Sequence, residues 1–144
     1  MAKLDIEGMD ELNAAFGRIA SVPQSVTGQA LGEMAAVAAA AIKRTGESMG
    51  VRDPESNVHI LDKITTTKPK FTPAGGYQDI TFSGTRRRGS TTTRNAEIAF
   101  INEYGKRGQP ARPFISQAMT ANEEKIAAAG GDVLGDWIEK EFTK

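Results

Sequence analysis

The chain has 144 residues, of which 25% are charged and 39% hydrophobic, and its 18 basic and 18 acidic side chains cancel. That size fits one domain over residues 1–144 with a core of its own. The absence of cysteine excludes disulfides and thiolate chemistry, and the single histidine, His59, excludes the usual histidine-rich zinc site.

The balanced total hides an uneven distribution. Residues 84–112 carry seven basic side chains against two acidic ones, net +5, whereas residues 119–144 carry three against six, net −3. Such polarity steers one surface toward an acidic partner or one subunit toward another. The opening MAKLDIEGMDEL has no apolar leader, and the run AAVAAAA is short and alanine-rich for a bilayer span. The expectation is a soluble chain with no membrane partner.

Met9, Leu12, Phe16 and Ile19 recur at spacings of three and four, which predicts a short amphipathic helix over about residues 8 to 20. Pro23 interrupts it. Val26, Ala30, Met34, Val37 or Ala38, Ala41, Thr45 and Met49 then continue a second, longer helical stripe that Gly50 ends. Pro54 marks a turn. Beyond it, KITTTKPKF and YQDITFSG are rich in β-branched and aromatic residues and predict strands.

NAEIAFINEYG alternates Ile98, Phe100 and Asn102 with Glu97, Ala99, Ile101 and Glu103, which predicts a third strand in a small, mainly antiparallel sheet. The polar GTRRRGSTTTRN before it predicts a long mobile loop or hairpin tip. From Pro113, a stripe of Ile115, Met119, Asn122, Ile126, Ala129, Val133 and Trp137 predicts a C-terminal helix, either bent or divided at Gly130-Gly131. The fold class is α+β.

Catalytic chemistry finds little footing in this pattern. His59 has Asp53, Glu55 and Asp62 near it in sequence, but no nucleophile-base order, paired carboxylates or metal-ligand spacing accompanies them. AGGYQDITFSG matches neither a phosphate-binding loop nor a dinucleotide fingerprint. The expectation is a non-enzyme with no catalytic residue, metal or cofactor. Arg86, Arg87, Arg88 and Arg94 form the strongest candidate for contact with DNA or an acidic partner, since each guanidinium can fork onto a phosphate or carboxylate. Trp137, with Ile138 and Phe142, is expected to anchor the last helix against the core or another subunit.

The stretch EYGKRGQPARPFISQAM, residues 103–119, holds two glycines and two prolines ahead of a Phe-Ile pair. Its glycines permit sharp backbone changes, its prolines restrict them, and Phe114 can lock the following helix into the core. That combination predicts a rigid corner, from which Arg112 can reach a carboxylate of its own domain or of a neighbour.

The same stretch resembles the signature of the HK97 gene-10-like neck and tail-completion proteins of tailed phages. The matching residues are Glu103, Tyr104, Gly105, Pro110, Ala111, Arg112, Pro113, Phe114 and Ala118. HILDKI, residues 59–64, is a partial counterpart of that family's TG-x-L-x-x-S-I segment, keeping Leu61 and Ile64 but lacking the Thr-Gly pair and the serine. The resemblance implies a structural virion component at the head-to-tail interface, assembled in the host cytoplasm. It implies a homo-oligomeric ring of tail-completion type, six-fold by expectation. Its neighbours would be head-side neck proteins and the tail terminator or tail tube, with non-specific contact to DNA in the channel. Tail terminator, head closure and adaptor are alternatives within the same neck, and a standalone nucleic-acid-binding domain using Arg86–Arg88 is an alternative outside it.

Overall fold

A computed structural model describes residues 9–51 and 59–144. Helix α1 spans Met9–Ile19 and α2 spans Gln24–Ser48, with Pro23 between them at the amino-terminal flank of α2. A 3-10 turn at Ile60–Lys63 leads into strands β1 (Ile64–Thr66), β2 (Lys70–Thr72), β3 (Gly75–Tyr77), β4 (Ile80–Phe82), β5 (Thr85–Arg88) and β6 (Thr91–Arg94). Helices α3 (Asn95–Tyr104), α4 (Phe114–Ala121) and α5 (Glu123–Phe142) complete the α+β fold.

The end of α2 follows from one glycine. Gly50 takes φ +73°, its N–H donates to Glu47 O at 3.2 Å, and Val51 N–H donates to Gly46 O at 2.8 Å. This paired pattern closes the orphan carbonyls of the last turn, and Val51, just beyond the glycine, is buried as the motif requires. Alanines along its length and Gly46 in its last turn make α2 smooth enough to serve as the hub. A Cβ on Gly46 would lie 2.5 Å from Leu61 Cδ2 and 3.1 Å from Phe114 Cδ2, so that position admits no side chain without displacing the core. Among the described residues α2 is also long and apolar enough to cross a membrane, by length and composition. In this fold its buried stripe of Ala30, Ala35, Ala38, Ala41 and Ile42 packs against α4 and α5.

The single small sheet expected from sequence is replaced by three two-stranded antiparallel ribbons, β1–β4, β2–β3 and β5–β6. The first two are one nested arm. Ile64 pairs with Phe82 and Thr66 with Ile80, then Lys70 pairs with Tyr77. The outgoing strand therefore advances one residue more than the returning one, at the point where Pro69 removes a ladder donor. An inserted residue of this kind bends a strand and stops its pairing. The segment expected as a loop or hairpin tip is a hairpin, paired from Thr85 with Arg94 through Arg88 with Thr91. Asn95 closes its base by donating from Nδ2 to Ser83 O at 2.7 Å and from its backbone N–H to Gly84 O at 3.0 Å.

Two further expectations are corrected. NAEIAFINEYG is helix α3 rather than a strand, because its buried face is polar: Asn95, Ala99, Asn102 and Glu103 recur at helical spacing and face inward. The C-terminal division falls at Asn122 rather than at Gly130-Gly131. Asn122 leaves helical geometry at φ −117°, ψ 13°, and its Nδ2 donates back to Ala118 O at 2.8 Å. The glycines stay inside α5, where Gly130 lets Met34 of α2 come close: a Cβ there would stand 2.5 Å from its sulfur. The core gathers where α2, α3, α4, the 3-10 turn and β4 meet, around Ile42, Val51, Leu61, Phe82 and Phe114.

Candidate functional site

The corner of residues 103–118 is built by α3 and α4 bracing each other. Glu103, 5% exposed at the end of α3, accepts hydrogen bonds from Ile115 N–H at 2.8 Å and Ser116 N–H at 3.0 Å, and from the Ser116 hydroxyl. It thus satisfies first-turn donors of α4 that no residue of that helix could reach, and places negative charge where the helix dipole favours it. The cap comes from eleven residues upstream of the helix start and is invisible as a local capping pattern.

Pro113 turns the chain into α4. Phe114 N–H donates to Arg112 O at 2.7 Å across Pro113, whose φ −75° and ψ 62° are those of an inverse γ-turn. Phe114 is fully buried, edge-on to Phe82 with ring centroids 6.0 Å apart, and Ala118 one turn later is buried with it. Gly105 ends α3 with φ +77°, and a Cβ there would lie 2.8 Å from Ala111 N and 3.0 Å from Gln109 O. Both the backbone conformation and the space demand glycine. Pro110 and Ala111 form the exposed, extended run opposite it.

Among the described residues Arg112 lies on a backbone carbonyl rather than on a carboxylate of its own domain. Its Nη1 donates to Gly50 O at 2.9 Å, and its backbone N–H donates to Asn102 O at 2.6 Å. The guanidinium therefore ties the corner to the terminal turn of α2, inside its own chain. Tyr104 is the matching residue that faces outward, 67% exposed, its ring tilted 49° against that of Phe100 at 4.7 Å, itself 62% exposed. Phe100 was hidden by the strand reading; as positions i and i+4 of a helix the two aromatics would have stood out as a pair.

The structure distributes the described arginine side chains of the ribbon over its two faces. Alternation puts Arg87 and Arg94 on one face and Arg86 on the other, while Arg88 pairs with Thr91 next to the turn. Arg87 Nε donates to Gly89 O at 3.0 Å and Arg94 pairs with Glu97 at 3.5 Å, so both guanidinium groups already have local partners.

Of the acid-base set around His59, Asp53 and Glu55 lie outside the described residues, and Asp62 pairs with Lys43 at 3.4 Å. Among the described residues no group of three or more His, Asp or Glu side chains is arranged to hold a metal. Trp137, expected as an anchor, is half-buried and lines an open cleft of about 150 Å³ between the start of α2 and the end of α5. The apolar face expected of α1 is uncovered at Leu12 and Phe16, and Phe16 meets exposed Phe142 edge-on at 6.0 Å. No protein-family model, curated protein or solved structure matches the chain.

Proposed function

We propose that this chain is a non-enzymatic structural subunit of a tailed-phage head-to-tail junction, a tail-completion component repeated as a ring around the DNA passage. The observation that carries the reading is the corner itself. The residues that resemble the neck-protein signature are the ones that brace α3 against α4, through the Glu103 cap, the close approach at Gly105 and the buried Phe114. A subunit repeated around a channel needs a fixed angle between its elements, since a small error per subunit accumulates around the ring. The corner supplies a fixed angle, and Tyr104 and Phe100 are carried outward on its rim.

In such a ring the β5–β6 ribbon is a polar arm for salt-sensitive contact with DNA phosphates in the channel or with acidic groups of an adjoining ring. Head-side neck proteins and the tail terminator or tail tube are the neighbours this position requires. Electron microscopy of assembled particles carrying a tagged copy tests the reading. Label at the head-to-tail interface is the expected result, and its absence from all particles and assembly intermediates would overturn it. Heads and tails purified separately distinguish the roles within the neck: a tail-completion component stays with tails, whereas a head-closure or adaptor protein stays with heads.

A further inference from the structure

The chain carries an aromatic knob and, on different elements, a cleft suited to receive one. The knob is Phe100 and Tyr104, which touch at a tilt on the outer face of α3 and are each more than 60% exposed. Immediately after them come Lys106 and Arg107, both exposed and without an ion pair to any described residue. Large aromatics left out in water beside an arginine belong to the composition that interfaces favour, and are unusual material for a surface without a partner.

The cleft lies between α2 and α5, lined by Val26, Gln29, Val133, Asp136, Trp137 and Lys140. Its volume of about 150 Å³ is that of a cavity able to hold one benzene-sized ring. Its apolar wall is Val26, Val133 and Trp137; Asp136 stands at its edge with Asp132 and Glu139 exposed one turn to either side, three acidic groups against the one cation of the lining, Lys140. The segment bearing the knob is net +5 over residues 84–112, and the segment bearing most of the cleft is net −3 over residues 119–144.

From this match of ring to cleft and of charge to charge, we infer that the Phe100–Tyr104 face of one copy docks into the Trp137 cleft of a second copy, with Lys106 and Arg107 set against Asp132, Asp136 and Glu139. The two surfaces differ, so each copy offers both, and the contact repeats head to tail. Such a contact closes a ring when its rotation permits. The inference deepens the ring reading given above and rests on it for the repeated assembly, but it names a contact that the purified chain can make alone.

The test uses the full chain. Trp137 is the sole tryptophan, so its emission reports directly on the cleft. On concentration, sedimentation should show species larger than a monomer while Trp137 emission shifts to the blue and becomes harder to quench. Phe100→Ser with Tyr104→Ser removes the knob, and Gln29→Phe, at an exposed helix position, plugs the cleft without adding a tryptophan. Each should weaken self-association by about thirtyfold or more, the loss that truncating an aromatic hot spot brings. Both should keep the parent's thermal unfolding temperature. Mixed in equal amounts, the two variants retain one good knob and one good cleft between them, and should give a discrete dimer and nothing larger.

Three results overturn the inference: a parent chain that stays monomeric at its highest soluble concentration with Trp137 unchanged, a knobless variant that associates like the parent, or a mixture that fails to pair. Charge exchange gives an independent readout. Asp136→Lys should weaken association, and adding Lys106→Glu with Arg107→Glu should restore it; a lack of restoration counts against the charge match. A chain that pairs in this way yet is absent from particles loses the neck reading alone. One found at the neck whose faces fail these tests loses this contact alone.

Discussion

The corner at residues 103–118 and the ribbon at residues 85–94 begin from similar material, both short, basic and containing glycine, yet the fold treats them in opposite ways. The corner is held by distant groups: Glu103 reaches into the first turn of α4, Arg112 reaches Gly50, and Phe114 fills the space that Gly46 leaves open. The ribbon is held by itself, through its cross-strand pairs, the Arg87 to Gly89 bond and the exposed Arg94–Glu97 pair, with Asn95 closing its base. Local bonds in water exchange almost evenly with solvent, whereas buried apolar contacts and buried charge-assisted bonds do not. Substitutions of equal chemical size should therefore cost much more in the corner.

Phe114→Ala is the strongest way to break that contrast. Truncating a fully buried aromatic costs about 3–5 kcal/mol, and thermal unfolding should show the loss directly. A variant within about 1 kcal/mol of the parent, the size of an ordinary surface change, would mean that the ring is not the corner's anchor. Glu103→Gln comes next, since it places an amide among donors that need an acceptor. Losing hydrogen bonds to a buried charged group costs about 1.5–3 kcal/mol, and denaturant unfolding with an unchanged slope is the expected signature.

A pair of glycine substitutions sharpens the comparison between the two regions. Gly105→Ala faces both a positive φ and backbone atoms within 3.0 Å, whereas Gly89→Ala at the ribbon turn faces only its φ of +58° with open space around it. The first should cost about 2–3 kcal/mol, the second about 1 kcal/mol. Equal losses at the two sites would show that crowding at Ala111 is relieved by backbone movement. The smallest effects concern the arginines. Arg112→Ala removes one donor to a backbone carbonyl and should cost about 1 kcal/mol, while Arg94→Gln removes an exposed ion pair and should cost less than about 0.5 kcal/mol. Because the Arg112 guanidinium is engaged within its own chain, its loss is expected to change unfolding while leaving self-association in place, as sedimentation can check.

Much of this layout was legible before folding. The 3.6-residue stripes of α1 and α2, the stop at Gly50 and the start of α4 after Pro113 all follow from local steric and hydrogen-bonding rules acting on neighbours in sequence. The corner was legible for the same reason, since two prolines, two glycines and a Phe-Ile pair restrict the chain wherever it sits. What the sequence misled on was α3. Ile98, Phe100 and Asn102 alternate like a strand, and only the folded chain supplies the groups that let Asn95 and Glu103 turn inward: the Ser83 carbonyl for one, the amides of Ile115 and Ser116 for the other. A buried polar face is invisible to a reading that searches for apolar periodicity.

The sequence by itself determined the α+β class, the two helices ahead of the β segments and the helical start after Pro113, because each depends on interactions within a few residues. The tertiary structure alone decided that the stretch Asn95–Tyr104 is a helix, that the C-terminal segment divides at Asn122, that Arg112 bonds the Gly50 carbonyl of its own chain, and that Phe100 and Tyr104 are left in solvent. Each of these depends on which distant group is available as a partner. Where a polar side chain finds a buried partner it can face the core, and where an aromatic finds none within the chain it stays on the surface, whatever its own preference.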